Sequence, residues 1–341
     1  MMSKLKQNLI NIIFFFWTLI IYIQIQLLRL NKSKKYLYFN HFGWGDNIVF
    51  YLKNYINIKF NNNNYCLTYT KERTNICNFL FKKEKVFETF LPLPFFFSAN
   101  KVDYILRKLP GYRPTLDRKF KTSNKEYFVN NKDSIKNLLK LKYKKESKID
   151  CSKFGSYVCL YLRFSEKSHI FPSIRQSQNI KKIFEIIDFL LKKNFNLMLL
   201  GKSKENYLKK VTDKYPNLIN KRIFLMHKQI SNNNIMSDQI NIFDNSLFYC
   251  GSHAGPLVLF HFLKKKGISF DVFHRDEWDE KKFNDIKFIY KKINIRNEWI
   301  NLSEKDLKLI ERDKNIQVKE CSAKTIINSI KDILDYSIKV S

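Results

Sequence analysis

The strongest constraint on the fold is a series of short apolar runs, each followed by a stretch whose apolar residues have helical spacing. Residues 157–162 form a continuous apolar run, which is typical of a central strand in a parallel sheet. Residues 180–192 then have helical spacing, and residues 196–200 predict a second strand that ends at Gly201. Strands are also predicted over residues 247–250 and 268–273, and an amphipathic helix over residues 323–336. Strands that alternate with helices predict a parallel sheet covered on both faces.

The first half of the chain predicts the same alternation. A β-type run at residues 36–40 precedes a glycine turn and a helical pattern over residues 47–58, and strands are predicted at 65–69 and 86–91. We therefore predict an α/β fold with two Rossmann-like domains in tandem and an N-terminal hydrophobic helix. The predicted segments are an anchor and basic linker (1–35), an N-terminal domain (36–149), a C-terminal domain (150–320) and a terminal helix (321–341).

The N-terminal segment has the composition of a membrane-associated helix. No charged residue occurs between Gln7 and Leu28, and roughly 20 apolar residues are needed to span a bilayer as a helix. The heavier basic flank follows this segment, so the positive-inside rule places the body of the protein in the cytoplasm. A helix that lies in the membrane interface and a buried first helix of the globular body are the alternatives.

The overall charge indicates an anionic partner but does not distinguish one class of anionic partner from another. Lys and Arg number 62 against 31 Asp and Glu, which leaves a net charge of +31. A composition rich in Lys, Asn and Ile accounts for part of this excess. Such a surface attracts nucleic acid, anionic lipid headgroups or phosphorylated substrates. Because the chain has no aromatic-basic RNA-binding motif, nucleic acid is not the expected partner.

A glycine turn follows the first predicted strand and contains Gly43, Trp44, Gly45 and Asp46. Glycines let the backbone approach a ligand, and a carboxylate at a strand's carboxyl end can serve as a general base. The alternative is that Asp46 only caps the helix that follows. Because the third glycine of G-x-G-x-x-G is missing, a dinucleotide-binding fingerprint is not supported.

A second turn, from Gly251 to Pro256, contains Ser252, His253, Ala254 and Gly255 and lies between a predicted strand and a predicted helix. Backbone N–H groups and the helix dipole at such a place hold phosphate. The alternative is a tight turn in which Ser252 is a cap and Pro256 lies in the first helical turn.

Basic residues follow two of the predicted strands. Arg163 comes directly after the central strand, with Arg175 a loop away, and Gly201 and Lys202 follow the next strand. Arginine at a strand's carboxyl end suits bidentate phosphate binding, and a plain surface position is the alternative for both arginines. The chain has no D-x-D sequence and no histidines at ligand spacing, so we predict no metal site.

Taken together, these motifs resemble bacterial glycosyltransferases of the GT-B fold, in particular the heptosyltransferase-like group. Gly45 and Asp46 are similar to that family's N-terminal Gly-Asp turn, and the strand ending at Arg163 is similar to an arginine-bearing strand of relatives. Residues 199–201 resemble the strand that borders the donor nucleotide, and residues 251–255 resemble the Asp-Ser/Thr-Gly loop that binds the donor diphosphate. Gly251 stands where many relatives have Asp.

The resemblance implies a metal-independent, inverting glycosyltransferase that moves a sugar from a nucleotide-sugar to a lipid-linked or cell-surface glycan precursor. Residues 36–149 would bind the acceptor and residues 150–320 the donor. Asp46 is the implied base, beside the acceptor-side loop of Gly43, Trp44 and Gly45. The implied donor contacts are Arg163, Arg175, Gly201, Lys202, Ser252, His253, Ala254 and Gly255. No cofactor is implied beyond the nucleotide-sugar as co-substrate, and an anionic membrane surface is the further expected partner.

Two other classes remain open from the sequence. A polysaccharide pyruvyltransferase-like enzyme shares the architecture and could use the loop that holds Ser252 and His253. A non-enzymatic, basic membrane or nucleic-acid binding protein would explain the charge, but it would not explain the glycine turns in both halves.

Overall fold

The computed structural model of the chain describes residues 4–30, 35–38, 64–68, 79, 86–88, 132–164, 177, 179–201, 206–231, 234–252, 255–273, 285–303, 306, 309–310, 313 and 315–340. The chain divides into two units, residues 1–124 and residues 125–341. Each unit has a parallel sheet of its own.

The first unit contains a long N-terminal helix and a small parallel sheet. Helix α1 spans Lys4–Leu30. Strands β1 (Lys35–Tyr38), β2 (Asn64–Thr68) and β3 (Val86–Glu88) lie in that order and are all parallel. Parallel pairing of consecutive strands requires crossover connections, as the predicted alternation of strands and helices implies.

Helix α1 occupies the segment for which a membrane-associated helix is predicted. Within the residues that the structure describes, no helix is both long enough and apolar enough to cross a membrane. The predicted transmembrane span therefore finds no support in the described part of the chain.

The second unit is built on a six-stranded parallel sheet with the order β6-β5-β4-β7-β8-β9. Its strands are β4 (Tyr157–Tyr161), β5 (Asn196–Leu199), β6 (Ile223–Leu225), β7 (Tyr249–Ser252), β8 (Gly267–Val272) and β9 (Ile286–Tyr290). The order runs outward in both directions from β4 and β7. A doubly wound sheet has this arrangement, because right-handed crossovers then place helices on both faces.

The helices of this unit are α2 (Lys132–Glu146), α3 (Ile180–Lys192), α4 (Asn206–Lys214), α5 (Met226–Gln229), α6 (Ile235–Asn245), α7 (Gly255–Phe262) and α8 (Ala323–Val340). Five of them form two groups. Helix α8 packs on α3, whereas α2, α6 and α7 contact one another. Single turns of 3-10 helix also occur at Ser152–Phe154 and Pro216–Leu218.

The core of the second unit has the composition that the apolar runs predict. Val158, Cys159 and Leu160 of the central strand are completely buried. Helix α3 buries Ile183, Ile186, Ile187 and Leu190 against the sheet, which is the spacing of one helical face. A strand buried on both faces and a helix buried on one face account for the continuous run in β4 and the periodic pattern in α3.

Strand β7 begins and ends two residues later than the sequence predicts. Leu247, the first residue of the predicted strand, is 43% exposed, and its N–H donates to the carbonyl of Tyr157 before β7 begins. Gly251 and Ser252 belong to the strand although neither is apolar, and both are buried. The predicted turn, which begins at Gly251, therefore starts two strand residues too early.

A small antiparallel sheet in the order β11-β10-β12 was not predicted. Its strands are β10 (Lys292–Ile295), β11 (Glu298–Asn301) and β12 (Val318–Lys319). Strand β11 has only two adjacent apolar residues, Trp299 and Ile300, which is too short a run to predict a strand, and all four of its residues are exposed.

Candidate functional site

The order of the large sheet reverses between β4 and β7, and this point defines the candidate site. In open α/β sheets, ligands bind outside the carboxyl ends of the strands at such a switch point. Tyr161, the last residue of β4, is paired with Gly251 of β7. Arg163 and Ser252, both predicted as donor contacts, therefore lie together at the carboxyl edge.

The backbone of Arg163 is fixed at this edge by two hydrogen bonds. Its N–H donates to Ser252 Oγ at 3.0 Å, and its carbonyl accepts from the N–H of Ser177 at 2.7 Å. Among the described residues, no carboxylate forms an ion pair with the half-buried Arg163 side chain. A guanidinium in this position at the switch point is a suitable group for binding a phosphate.

Helix α7 begins three residues after Ser252. It starts at Gly255, has Pro256 in its first turn, and has no acidic residue in that described turn. The positive end of the helix dipole and the N–H groups of the first turn are therefore suited to an anion. Ser252 Oγ accepts the N–H of Arg163, so this hydroxyl joins the end of β7 to the end of β4.

Gly251 is needed for packing rather than for approach of a ligand. A Cβ at this position would lie 2.3 Å from the carbonyl oxygen of Tyr161 and 2.8 Å from the hydroxyl of Tyr249. That hydroxyl donates to the carbonyl of Ser252 at 2.6 Å, and burial raises the pKa of Tyr249 well above its ordinary value. The phenol therefore stays protonated and supports the end of β7.

Gly201, another predicted donor contact, directly follows the neighbouring strand β5 and Leu200. Its φ of +128° lies in a region that residues with a side chain rarely adopt. The preceding residue, Leu200, donates its N–H to the carbonyl of Leu160 at 2.8 Å. Gly201 thus turns the chain sharply at the carboxyl edge, one strand away from Arg163.

A buried cluster of charged groups lies at the end of β8, beside this edge. Asp271 Oδ2 pairs with Lys182 Nζ and accepts from Ser177 Oγ, and Asp271 Oδ1 accepts from the N–H of Cys321 at 3.0 Å. Lys182 also pairs with Glu320 at 2.9 Å, and Lys291 pairs with the same carboxylate at 3.7 Å. We call these six residues the Asp271 network. It supports the candidate site, because Ser177 belongs to it and holds the carbonyl of Arg163.

The pKa shifts in the Asp271 network favour the charged forms of Asp271 and Lys182, whereas the shift of Lys291 disfavours its charged form. Burial raises the pKa of Asp271, but Lys182 and Lys291 outweigh it and hold that pKa below the ordinary 3.8. Burial lowers the pKa of Lys182, and the carboxylates of Asp271 and Glu320 outweigh it, so the net pKa is raised. For Lys291, burial outweighs the same two carboxylates, and its pKa is lowered.

The structure places four of the predicted site residues and leaves the others outside its described residues. Arg163, Gly201, Ser252 and Gly255 follow or end three strands at one edge of one sheet. The predicted residues outside the described ones are Asp46, Gly43, Trp44, Gly45, Arg175, Lys202, His253 and Ala254. Their assignments stay predictions.

Sequence reasoning missed Asp271, Lys182 and Tyr249, all of which support the carboxyl edge. An aspartate inside the apolar run of β8 was the available signal, because a buried carboxylate requires a partner. The pairing lysine lies 89 positions away in the chain, so no local pattern identifies it.

Comparison with known proteins gives similarities of structure only. The sequence matches no protein-family model and no curated protein. The E. coli heptosyltransferase WaaC, solved with ADP-2-deoxy-2-fluoro heptose, is 9% identical with a TM-score of 0.42, over 82% of this chain and 99% of that chain. The Methanocaldococcus jannaschii UDP-GlcNAc 2-epimerase is 14% identical with a TM-score of 0.33, over 87% and 82% of the two chains. The wall teichoic acid polymerase TagF is 12% identical with a TM-score of 0.24, over 80% and 53%. All three TM-scores are below 0.5, and all three identities are below 15%.

Proposed function

We propose that the protein is a membrane-associated glycosyltransferase that uses a nucleotide-sugar donor and a lipid-linked or glycan acceptor. The donor diphosphate would lie at the carboxyl edge of the large sheet, between Arg163 and the start of helix α7. The body of the enzyme would face the cytoplasm, where nucleotide-sugars are available. This proposal agrees with the motifs of the sequence and rests on the geometry of the second unit.

The observation that carries the proposal is the position of Arg163 at the switch point, without a carboxylate partner among the described residues. The hydrogen bond between Arg163 N and Ser252 Oγ, 3.0 Å long, holds the ends of β4 and β7 together. Helix α7 then begins at Gly255, close behind Ser252 in the chain. An arginine directly after β4 and a helix that begins just after β7 lie at one sheet edge, and together they suit a dianionic group such as a diphosphate.

In the proposed reaction, an acceptor hydroxyl attacks the anomeric carbon while the bond from that carbon to the diphosphate oxygen breaks. The carbon is inverted, the hydroxyl proton passes to the carboxylate of Asp46, and the nucleoside diphosphate leaves as an anion. Arg163 and the N–H groups of α7 would stabilise the charge that develops on the leaving group. Donors already oriented toward such a charge are usually the largest single contribution to catalysis.

Donor binding tests this proposal directly. We expect the full-length protein to be stabilised against heat by one class of nucleotide-sugar in a panel of UDP-, GDP-, ADP- and CMP-linked sugars. Arg163→Ala should weaken that binding about 10- to 100-fold, because one hydrogen-bonded charge contributes about 1.5–3 kcal/mol. The measurement is the thermal shift as a function of donor concentration.

Arg296→Ala is the matched control for this experiment. Arg296 lies in the exposed turn between β10 and β11, outside the large sheet, and its variant should bind the donor as the unmodified protein does. Equal weakening by both variants would show that the donor does not bind at the switch point. Stabilisation by phosphoenolpyruvate and by no nucleotide-sugar would favour a pyruvyltransferase-like enzyme instead.

Asp46→Asn separates catalysis from donor binding. If Asp46 is the base, the variant should lose about 10²- to 10⁴-fold in transfer rate, which is the usual contribution of general base catalysis. Its thermal shift with the donor should stay unchanged, because the donor contacts belong to the other half of the chain. Transfer is measured as release of nucleoside diphosphate with a lipid-linked acceptor. A variant that transfers at the normal rate would exclude Asp46 as the base.

A further inference from the structure

Helix α1 has two faces that differ in their surroundings. Thr18 and Ile21 are completely buried, so the chain itself covers one side of the helix. On the other side, Ile12, Phe16, Ile23 and Leu27 are 53%, 59%, 47% and 60% exposed. Steps of four, seven and four residues place these four side chains in one line along the helix. We call this line the apolar stripe.

The apolar stripe is unusual for a surface in contact with water. Soluble proteins rarely expose large contiguous apolar patches, and such patches mark sites of association with a protein or a membrane. Ile13 and Phe15 widen it, since they are 45% and 49% exposed. The stripe therefore requires a partner that offers apolar surface over the length of several helical turns.

The charge around α1 identifies the partner. Residues 1–45 contain six basic residues and no acidic one; the basic residues are Lys4, Lys6, Arg29, Lys32, Lys34 and Lys35. A second copy of the chain would bring the same positive charge toward the stripe, and the two would repel. An anionic lipid surface offers acyl chains to the stripe and negative headgroups to the flanking lysines and arginine.

We infer that α1 lies in the plane of an anionic membrane surface, with the apolar stripe in the boundary between headgroups and acyl chains. A helix that spans the bilayer alone is exposed to lipid around its whole circumference. Helix α1 is instead covered at Thr18 and Ile21, which lie near its middle. This inference specifies the membrane association proposed above, but it does not depend on the transfer reaction.

Flotation of the full-length protein with lipid vesicles tests the inference. Binding to vesicles with about 30% phosphatidylglycerol should be strong and should weaken with salt, and binding to pure phosphatidylcholine should be weak. The double variant Phe16→Asn and Ile23→Asn should lower the partition coefficient about 100-fold, since it removes two large apolar side chains from the stripe without changing the charge.

Leu141→Asn is the matched control, because Leu141 is 73% exposed on helix α2 of the second unit. The control should float as the unmodified protein does. A double variant that still binds anionic vesicles normally would overturn the inference. So would a stripe-dependent dimer that does not bind vesicles, since the occupant would then be a second copy.

Extraction of native membranes distinguishes a helix in the interface from one that spans. Alkaline carbonate should release the protein from membranes of expressing cells, and retention in the pellet would contradict the interfacial position. Loss of nucleotide-sugar transfer with normal vesicle binding would leave this inference standing and would count against the proposed function alone.

Discussion

Replacing Asp271 with asparagine is expected to destabilise the second unit by about 3–5 kcal/mol, the usual result of breaking a buried ion pair from one side. The carboxylate pairs with Lys182, and both side chains are only 2% exposed. Asparagine fills the same space but leaves Lys182 with Glu320 as its remaining carboxylate partner among the described residues. Hydrogen exchange of peptides from β4, β7 and β8 measures the loss, since it reports the second unit separately from the first.

Asp332→Asn is the control for this change. Asp332 pairs with Lys287 at 3.0 Å on the surface, where the two side chains are 66% and 50% exposed. Exposed ion pairs contribute about 0–1 kcal/mol, so the control should leave exchange nearly unchanged. Equal effects of the two variants would show that burial does not determine the contribution of the Asp271 network.

The dependence on pH provides a second check on Asp271. Its pKa in the folded protein lies below 3.8, the ordinary value, because Lys182 and Lys291 outweigh burial. The charged carboxylate therefore stabilises the fold at pH values above its ordinary pKa. This stability is lost as the pH falls through the lower pKa of the folded protein. The asparagine variant should lack this part of the acid dependence. An unchanged acid dependence would contradict the assignment.

The apolar pattern of the sequence predicts those elements in which each residue type depends only on whether its side chain is buried. Helix α3 begins and ends where the spacing of its apolar residues predicts, and Asn179 caps it by accepting the N–H of Lys181 at 3.0 Å. The run over residues 157–162 likewise predicts β4 to within one residue. Helix α3 meets the core on one face and strand β4 on both faces, so the apolar pattern of each agrees with its burial.

The apolar pattern does not predict the role of a residue whose partners lie in distant parts of the chain. Asp271 has a φ of +54° within β8 and is held by Lys182, Ser177 and Cys321, which come from other segments. The strand that contains it is predicted from its apolar neighbours, but its partners are not. The same reason explains the displaced limits of β7, since the roles of Gly251 and Ser252 arise from β4.

The sequence predicts where three of the candidate site residues lie, because each of them is placed at the end of a predicted strand. Arg163, Gly201 and Ser252 each follow or end a strand, and parallel strands bring their carboxyl ends to one edge. What the sequence does not indicate is that Arg163 and Ser252 bond to each other. That contact depends on β4 and β7 being neighbours in the sheet, although β5 and β6 lie between them in the chain.

Replacing Gly251 with alanine is expected to destabilise the second unit by more than about 3 kcal/mol, beyond the usual range for overpacking. The new Cβ would lie 2.3 Å from the carbonyl oxygen and 3.0 Å from the N atom of Tyr161. These are backbone atoms of the adjacent strand β4, so the clash is relieved only if β4 and β7 separate. Because Arg163 follows β4, donor binding should weaken in the same variant. Hydrogen exchange and the donor thermal shift measure the two effects.

Gly267→Ala in the adjacent strand β8 is the matched control, and it shows why position within the sheet decides the outcome. Its Cβ would lie 2.8 Å from Ile286 Cδ1, which is the far end of a flexible side chain, and at 3.4 Å or more from atoms of Tyr249. Ile286 can move, and alanine restricts the unfolded chain, so the change should cost no more than about 1 kcal/mol. If both alanine variants were equally stable, the close approach of β4 and β7 at Gly251 would be wrong. The convergence of Arg163, Ser252 and helix α7 depends on that approach, so the proposed donor site would fail with it.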